Sequence, residues 1–214
     1  MDEEIAIIDA NTRNTKIKIF FVNNKKKLIT ITITIIIIFV GYLSYEEIKQ
    51  KNKQKIANQY NSIIINHNKG ENKKVINDLT HLVGKKDITY SPLALYFLID
   101  NELIKDKNKI NNLFDVLINQ TKLEAEIKNL IVYKKALYNS DSLSENELIQ
   151  ILKPIINSKS IWESHALYLI AEYFYSKNEK QKAKEFFNKI LLLTDGNTDI
   201  KLESKKRLNR DFGE

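Results

Sequence analysis

Hydrophobic and polar positions are arranged along this chain in two different ways. From Leu28 to Tyr45 it reads LITITITIIIIFVGYLSY, eighteen consecutive residues without a charge, with Lys25, Lys26 and Lys27 before and Glu46 and Glu47 after. Beyond Glu46 apolar residues recur every three or four positions, the interval that gathers them on one face of a helix. The second pattern predicts helices over 46–68, 72–83, 91–106, 108–120, 122–139, 145–158, 161–177, 179–193 and 198–210. The fold class it implies is all-α.

The uncharged run has three readings. Thr30, Thr32 and Thr34 alternate with Ile at a strand's period, but Ile35 to Val40 does not alternate, and a lone strand that apolar would keep an unpaired edge. A cleaved export signal shares the basic-then-apolar plan. Its basic part would here be about twenty-seven residues long, and no A-x-A-like pair of small residues precedes Glu46. A membrane-spanning helix meets the length requirement. Eighteen residues cover roughly 27 Å against a hydrocarbon core of about 30 Å, and the flanking Lys side chains close the gap by snorkelling. In lipid each Thr hydroxyl can bond the carbonyl one turn back.

The expected organisation is a tail at 1–27, a transmembrane helix at 28–45 and a helical domain at 46–214. Arg13, Lys16, Lys18 and Lys25 to Lys27 give six positives before the span, and Lys49, Lys51, Lys53 and Lys55 give four after it. That bias favours a cytoplasmic N-terminus and a C-terminal domain on the far side of the membrane. KIKIFFV (Lys16 to Val22) reads either as a segment lying in the headgroup layer or as a frayed tail.

Start and stop signals in the helical region are legible. Thr121 to Glu124, Ser144 to Glu147 and Ser160 to Glu163 each fit the S/T-x-x-E capping box, and Ser91-Pro92 reads as an N-cap followed by Pro. Gly84 and Gly196 fall where helices should stop, and Pro154 should kink its helix. Comparable turn positions at Gly70, Asn108 and Asn178 are spaced by 38 and 70 residues, which points to a period near the 34 of tetratricopeptide units.

The last pair carries that pattern best. HALYLIAEYFYSKNEKQKAKEFFNKIL places Leu167, Ile170, Ala171, Phe174, Ala183 and Phe187 where such a unit needs its large, small and aromatic residues. The two Ala allow close helix approach, and the two Phe fill the space to neighbouring units. Val75 stands where the first unit wants a small residue, and the middle units are weaker. An amphipathic bundle without repeat order satisfies the same hydrophobic pattern.

Composition adds exclusions. Among 214 residues there is no Cys, so thiolate chemistry and disulfides are absent, and only two Pro and five Gly favour long helices. The net charge of +7 raises nucleic acid as a partner, but the Lys residues are scattered among Asn and Ile as on any solvated surface. His67, His81 and His165 have no second ligand at metal spacing on the same helical face. Asp106 with Asp115, or Glu124 with Glu126, could be offered as acid/base pairs; solvated helices carry such charges routinely. No phosphate-binding, dinucleotide-binding or nucleophile-elbow motif is present. The expectation is a protein that is not an enzyme, with no cofactor, no metal and no small-molecule substrate.

A binding surface has more support. With Leu167, Ile170, Ala171 and Phe174 turned to the core, His165, Tyr168, Glu172 and Tyr175 share another face, which in a tetratricopeptide superhelix lines the concave groove. Tyr suits a contact surface, offering apolar area and a hydroxyl at low entropy cost. The alternative is that Tyr168 and Tyr175 pack against the C-terminal helix as half-buried aromatics. Tyr60 and His67 hold the analogous positions on the first long helix.

With acidic residues at the start (Asp2, Glu3, Glu4), one span ending in Gly41-Tyr42, a long helix after it and weak repeat units to the C-terminus, the chain resembles the YfgM-like proteins, their alphaproteobacterial branch above all. The resemblance covers essentially the whole chain and is most specific from Ile151 to Leu191. It implies an inner-membrane protein with a periplasmic tetratricopeptide-like domain, an ancillary partner of the Sec translocon that meets exported chains and chaperones. A coordinator of envelope assembly or cell division would have the same architecture. A cytoplasm-facing adaptor holding nucleic acid is the competitor from another class.

Overall fold

The computed structural model describes residues 2–68 and 72–213; Gly70, expected as a turn, and the side chains of Asp2, Glu3 and Glu4 lie outside the described residues. Among the described residues there are nine helices and no strand. They are α1 (Asp2–Asn68), α2 (Asn72–Gly84), α3 (Tyr90–Asp100), α4 (Lys107–Gln120), α5 (Ala125–Asn139), α6 (Glu145–Ile156), α7 (Glu163–Ser176), α8 (Lys180–Leu192) and α9 (Thr198–Phe212). The chain divides into two compact units, residues 1–55 and 56–214.

The described residues of the first unit are helical throughout, and α1 contains the whole uncharged run. Its apolar side chains face outward: Ile29, Ile31, Ile33 and Ile35 to Val40 are all exposed, and none of the most apolar window is buried. This helix is long and apolar enough to cross a membrane. The three Thr hydroxyls donate to carbonyls one turn back, Thr30 to Lys26, Thr32 to Leu28 and Thr34 to Thr30, at 3.0, 2.9 and 2.9 Å. None of the three Thr donors is left for water. The Lys16 to Val22 stretch continues the same helix.

In the second unit two apolar clusters are built in succession along the chain. One takes Ile63 from α1, Val75, Leu79, Leu82 and Val83 from α2, Leu95 and Leu98 from α3, and Phe114 and Leu117 from α4. The other takes Leu148 and Leu152 from α6, Ile170 and Phe174 from α7, Phe187 and Ile190 from α8, and Leu208 from α9. Helix α5 serves both: Ile131 belongs to the first cluster, and Val132 and Ala136 to the second. All six residues singled out in the 165–191 segment are buried, Ala171 and Ala183 completely. Val75, the oversized residue, is fully buried as well.

Local chemistry fixes where these helices begin. At α6 the expected capping box forms: the Ser144 amide donates to Glu147 Oε2 at 2.8 Å and the Glu147 amide to Ser144 Oγ at 3.4 Å. Asp106 caps α4 by accepting from the amides of Asn108 and Lys109, and Asn197 caps α9 by accepting from those of Asp199 and Ile200. The other expected caps are put to different use. Thr121 donates back to the Val116 carbonyl and closes α4, so α5 starts at Ala125. The Ser160 hydroxyl donates to Glu126 Oε2 on α5 at 2.7 Å. Buried Ser91 sits inside α3, donating to the Leu82 carbonyl, while Asp87 accepts from the amides of Thr89 and Tyr90.

Helix ends differ from expectation for a related reason. Helix α3 stops at Asp100, not 106, because Glu102 turns left-handed (φ 50°) and its amide and that of Leu103 bond the carbonyls of Ile99 and Leu98. Asn178 (φ 62°) and Glu179 close α7 in the same way on Tyr175 and Phe174. After α2 the left-handed residue is Lys86 (φ 58°), two positions past Gly84. Pro154 falls in the last turn of α6, which ends at Ile156.

Candidate partner-binding surface

The α7 residues picked out by sequence are held by α8 and α9. The Tyr168 ring meets Phe187 edge-on at 5.5 Å, and Tyr175 meets Phe212 at 6.0 Å. Between them Arg207 of α9 makes a two-pronged contact with Glu172, Nε to Oε1 at 2.7 Å and Nη2 to Oε2 at 2.5 Å. Its remaining nitrogen, Nη1, donates to Asp211 Oδ2 at 2.5 Å, and the guanidinium lies 4.3 Å over the Tyr175 ring.

The Arg207 side chain is only 11% exposed, so this pairing works in a medium poorer than water at screening charge. Burial lowers the guanidinium's proton affinity, but the Glu172 hydrogen bonds and the Glu172 and Asp211 charges outweigh it and raise the pKa. Burial, with the Glu172 charge and hydrogen bond, pushes the Tyr168 hydroxyl up to about 12. Tyr168, Glu172 and Tyr175 are therefore half-buried groups tied to the C-terminal helices.

His165 faces the other way, into a ring cluster with Trp162 at 5.1 Å and Tyr133 of α5 at 6.0 Å. Its Nδ1 is buried without a hydrogen-bond partner, and burial holds its pKa below the ordinary value. On α1, Tyr60 packs on Tyr90 at 5.7 Å and His67 edge-on to Phe97 at 5.1 Å. The six residues thus fall at three places within the second unit.

A surface that sequence reasoning passed over lies between α3 and α5. Ile88, Leu93, Tyr96, Leu123, Ile127 and Leu130 line an apolar groove of about 400 Å³. Ile88, Leu93 and Ile127 are 58, 40 and 42% exposed, well above what a packed interior leaves to large aliphatic side chains. The Tyr96 hydroxyl is buried and unpartnered. Burial and the Asp100 charge push it up to about 12, and the Lys134 ammonium sits 4.6 Å over its ring. The signal was present as apolar residues lying off the buried stripes of two helices, Leu93 with Tyr96 and Ile127 with Leu130.

Three of the four carboxylates considered for acid/base work have structural partners. Asp106 is a cap, Asp115 pairs with Lys135 at 2.7 Å, and Glu126 accepts from Ser160. Among the described residues no group of three His, Asp or Glu could hold a metal ion. Fold and surface together define an all-helical protein with one long apolar helix able to span a membrane. Compared with protein-family models, curated proteins and solved structures, the chain gives no match.

Proposed function

We propose that this chain is a single-pass inner-membrane scaffold, anchored by residues 28–45, whose periplasmic helical domain holds other proteins and serves as an ancillary partner of the Sec translocon. The observation that carries the anchoring is an eighteen-residue run whose large apolar side chains are outward-facing and whose Thr hydroxyls are satisfied within the helix. Lipid is the solvent such a surface fits. Confinement to the bilayer raises the domain's effective concentration beside membrane-bound partners, so modest contacts suffice and no turnover is needed.

A tetratricopeptide-like repeat supports the scaffold reading. Helices α2, α4, α6 and α8 begin at Asn72, Lys107, Glu145 and Lys180, intervals of 35, 38 and 35 residues. On that plan α3, α5 and α7 are the first helices of successive units, and the α3/α5 groove with the Trp162 and His165 rings offers apolar contact area to a polypeptide. The partner-binding role of Tyr60, His67, His165, Tyr168, Glu172 and Tyr175 belongs to the same proposal.

Two experiments test it. A periplasm-dependent reporter fused after Glu214 is expected to be active; activity of a cytoplasm-dependent one instead would overturn the orientation. Photoreactive groups at Leu93, Ile127 and Tyr168 in intact membranes are expected to crosslink to translocon subunits or exported chains. Crosslinks from none of the three positions would remove the scaffold reading.

A further inference from the structure

The charges on the two sides of the apolar run differ in more than number. On the Glu46 side, Glu46 meets Lys49 at 3.8 Å and Glu47 meets Lys51 at 2.7 Å, so half of the four Lys there are internally matched. On the other side no Asp or Glu occurs between Ala10 and Tyr45, and Arg13, Lys16, Lys18, Lys25, Lys26 and Lys27 are exposed. No Asp or Glu lies within one helical turn of Lys16, Lys18, Lys25, Lys26 or Lys27. A run of like charges held on one rigid helix repels itself unless something outside supplies the counter-charge.

The geometry says what shape that counter-charge takes. Successive helical residues turn by about 100°, so Arg13, Lys16 and Lys27 point one way and Lys18 and Lys25 nearly the opposite way, with Lys26 between. The positives form a collar around the helix, not a stripe along it. Between the two basic groups Ile17, Ile19, Phe20, Phe21 and Val22 are 48 to 67% exposed, and the Phe20 and Phe21 rings meet edge-on at 5.9 Å.

A folded protein partner or a nucleic acid would engage one face. Water does not favour five outward apolar side chains, and the hydrocarbon core does not favour six cations. The environment that surrounds a helix on every side and offers both hydrocarbon edge and negative charge is the headgroup layer of a bilayer. We infer that residues 13–27 form a basic-aromatic collar that gathers anionic phospholipid headgroups around the base of the membrane helix. This rests on the reading of residues 28–45 as a membrane span. Each Lys or Arg near an anionic surface adds to the attraction, and the five Lys with no acidic neighbour make the N-terminal side the one that enriches acidic lipid.

The absence of Cys allows a clean test. The full chain carrying Asn23→Cys, labelled there with a fluorophore, is reconstituted in phosphatidylcholine vesicles containing phosphatidylglycerol, with brominated acyl chains on one lipid or the other. Quenching per molecule by brominated phosphatidylglycerol is expected to exceed that by brominated phosphatidylcholine by about threefold, and to fall towards equality in high salt and in the K25Q/K26Q/K27Q variant. Equal quenching by the two lipids in a chain that resists carbonate extraction overturns the collar while leaving the span intact. A chain that carbonate extracts overturns the span and the collar with it. A fluorophore that responds to short RNA and shows no lipid preference overturns the collar in favour of a nucleic-acid site.

Discussion

Lys86 and Glu102 occupy left-handed backbone without being Gly, and among the described residues neither side chain makes a hydrogen bond or ion pair that offsets the strain. A β-carbon there costs about 1 kcal/mol, and Gly removes it at the expense of a more flexible unfolded chain. Lys86→Gly and Glu102→Gly are each expected to raise stability by about 0.5 kcal/mol, read as a shift in urea midpoint at unchanged slope. Asn139 shows the opposite sensitivity. It is buried, exchanges hydrogen bonds with Asn111 at 2.7 and 3.0 Å, and donates to the Lys135 carbonyl at 2.8 Å. Asn139→Ala leaves Asn111 without its partner and is expected to cost about 2 kcal/mol, with Asn111→Ala adding little on top.

At the scale of the element, α9 is held in part by one side chain, Arg207. It touches the rest through Ile200, Leu208, Phe212, the Lys201 ammonium on the Leu193 carbonyl and the Arg207 fork, and its own sequence is largely polar. Arg207→Lys keeps the charge and loses the fork. We expect it to cost about 2 kcal/mol and to speed amide exchange in α9 before any other helix. The starts of α2 to α9 were legible from sequence to within about three residues because each buried stripe repeats at helical spacing. The second helices of the expected pairs began at 72, 108, 145 and 179 and are found at Asn72, Lys107, Glu145 and Lys180.

What sequence could not supply is which hydroxyl does which task. Thr121 and Ser160 have the right neighbours for capping boxes, but tertiary contacts offer their side chains the Val116 carbonyl and the Glu126 carboxylate instead. The Arg207 fork on Glu172 was hidden for the same reason, since 35 residues separate its partners. The α3/α5 groove was hidden because apolar residues off a stripe become a surface only when two helices lie side by side.

For the molecule as a whole, stability should be bounded in pH on both sides. Tyr96 and Tyr168 are both pushed up to about 12 by burial first, so the folded state keeps them protonated after the unfolded chain would ionise. Their contribution is complete below pH 10 and is lost between about pH 10 and 12, seen as a falling thermal midpoint. His165 is shifted down by burial, so its contribution holds above about pH 6.5 and is lost on acidification as the unfolded chain takes up the proton. His165→Phe should flatten the acid limb while leaving the alkaline one unchanged.

Helix α5 has a consequence at this same scale. Because its adjacent residues Ile131 and Val132 are shared out to opposite neighbours, neither half of the domain is complete without it. Loss of Ala125–Asn139 would strip both flanks at once. A shortened copy ending there would be prey for quality-control proteases, not a smaller working version.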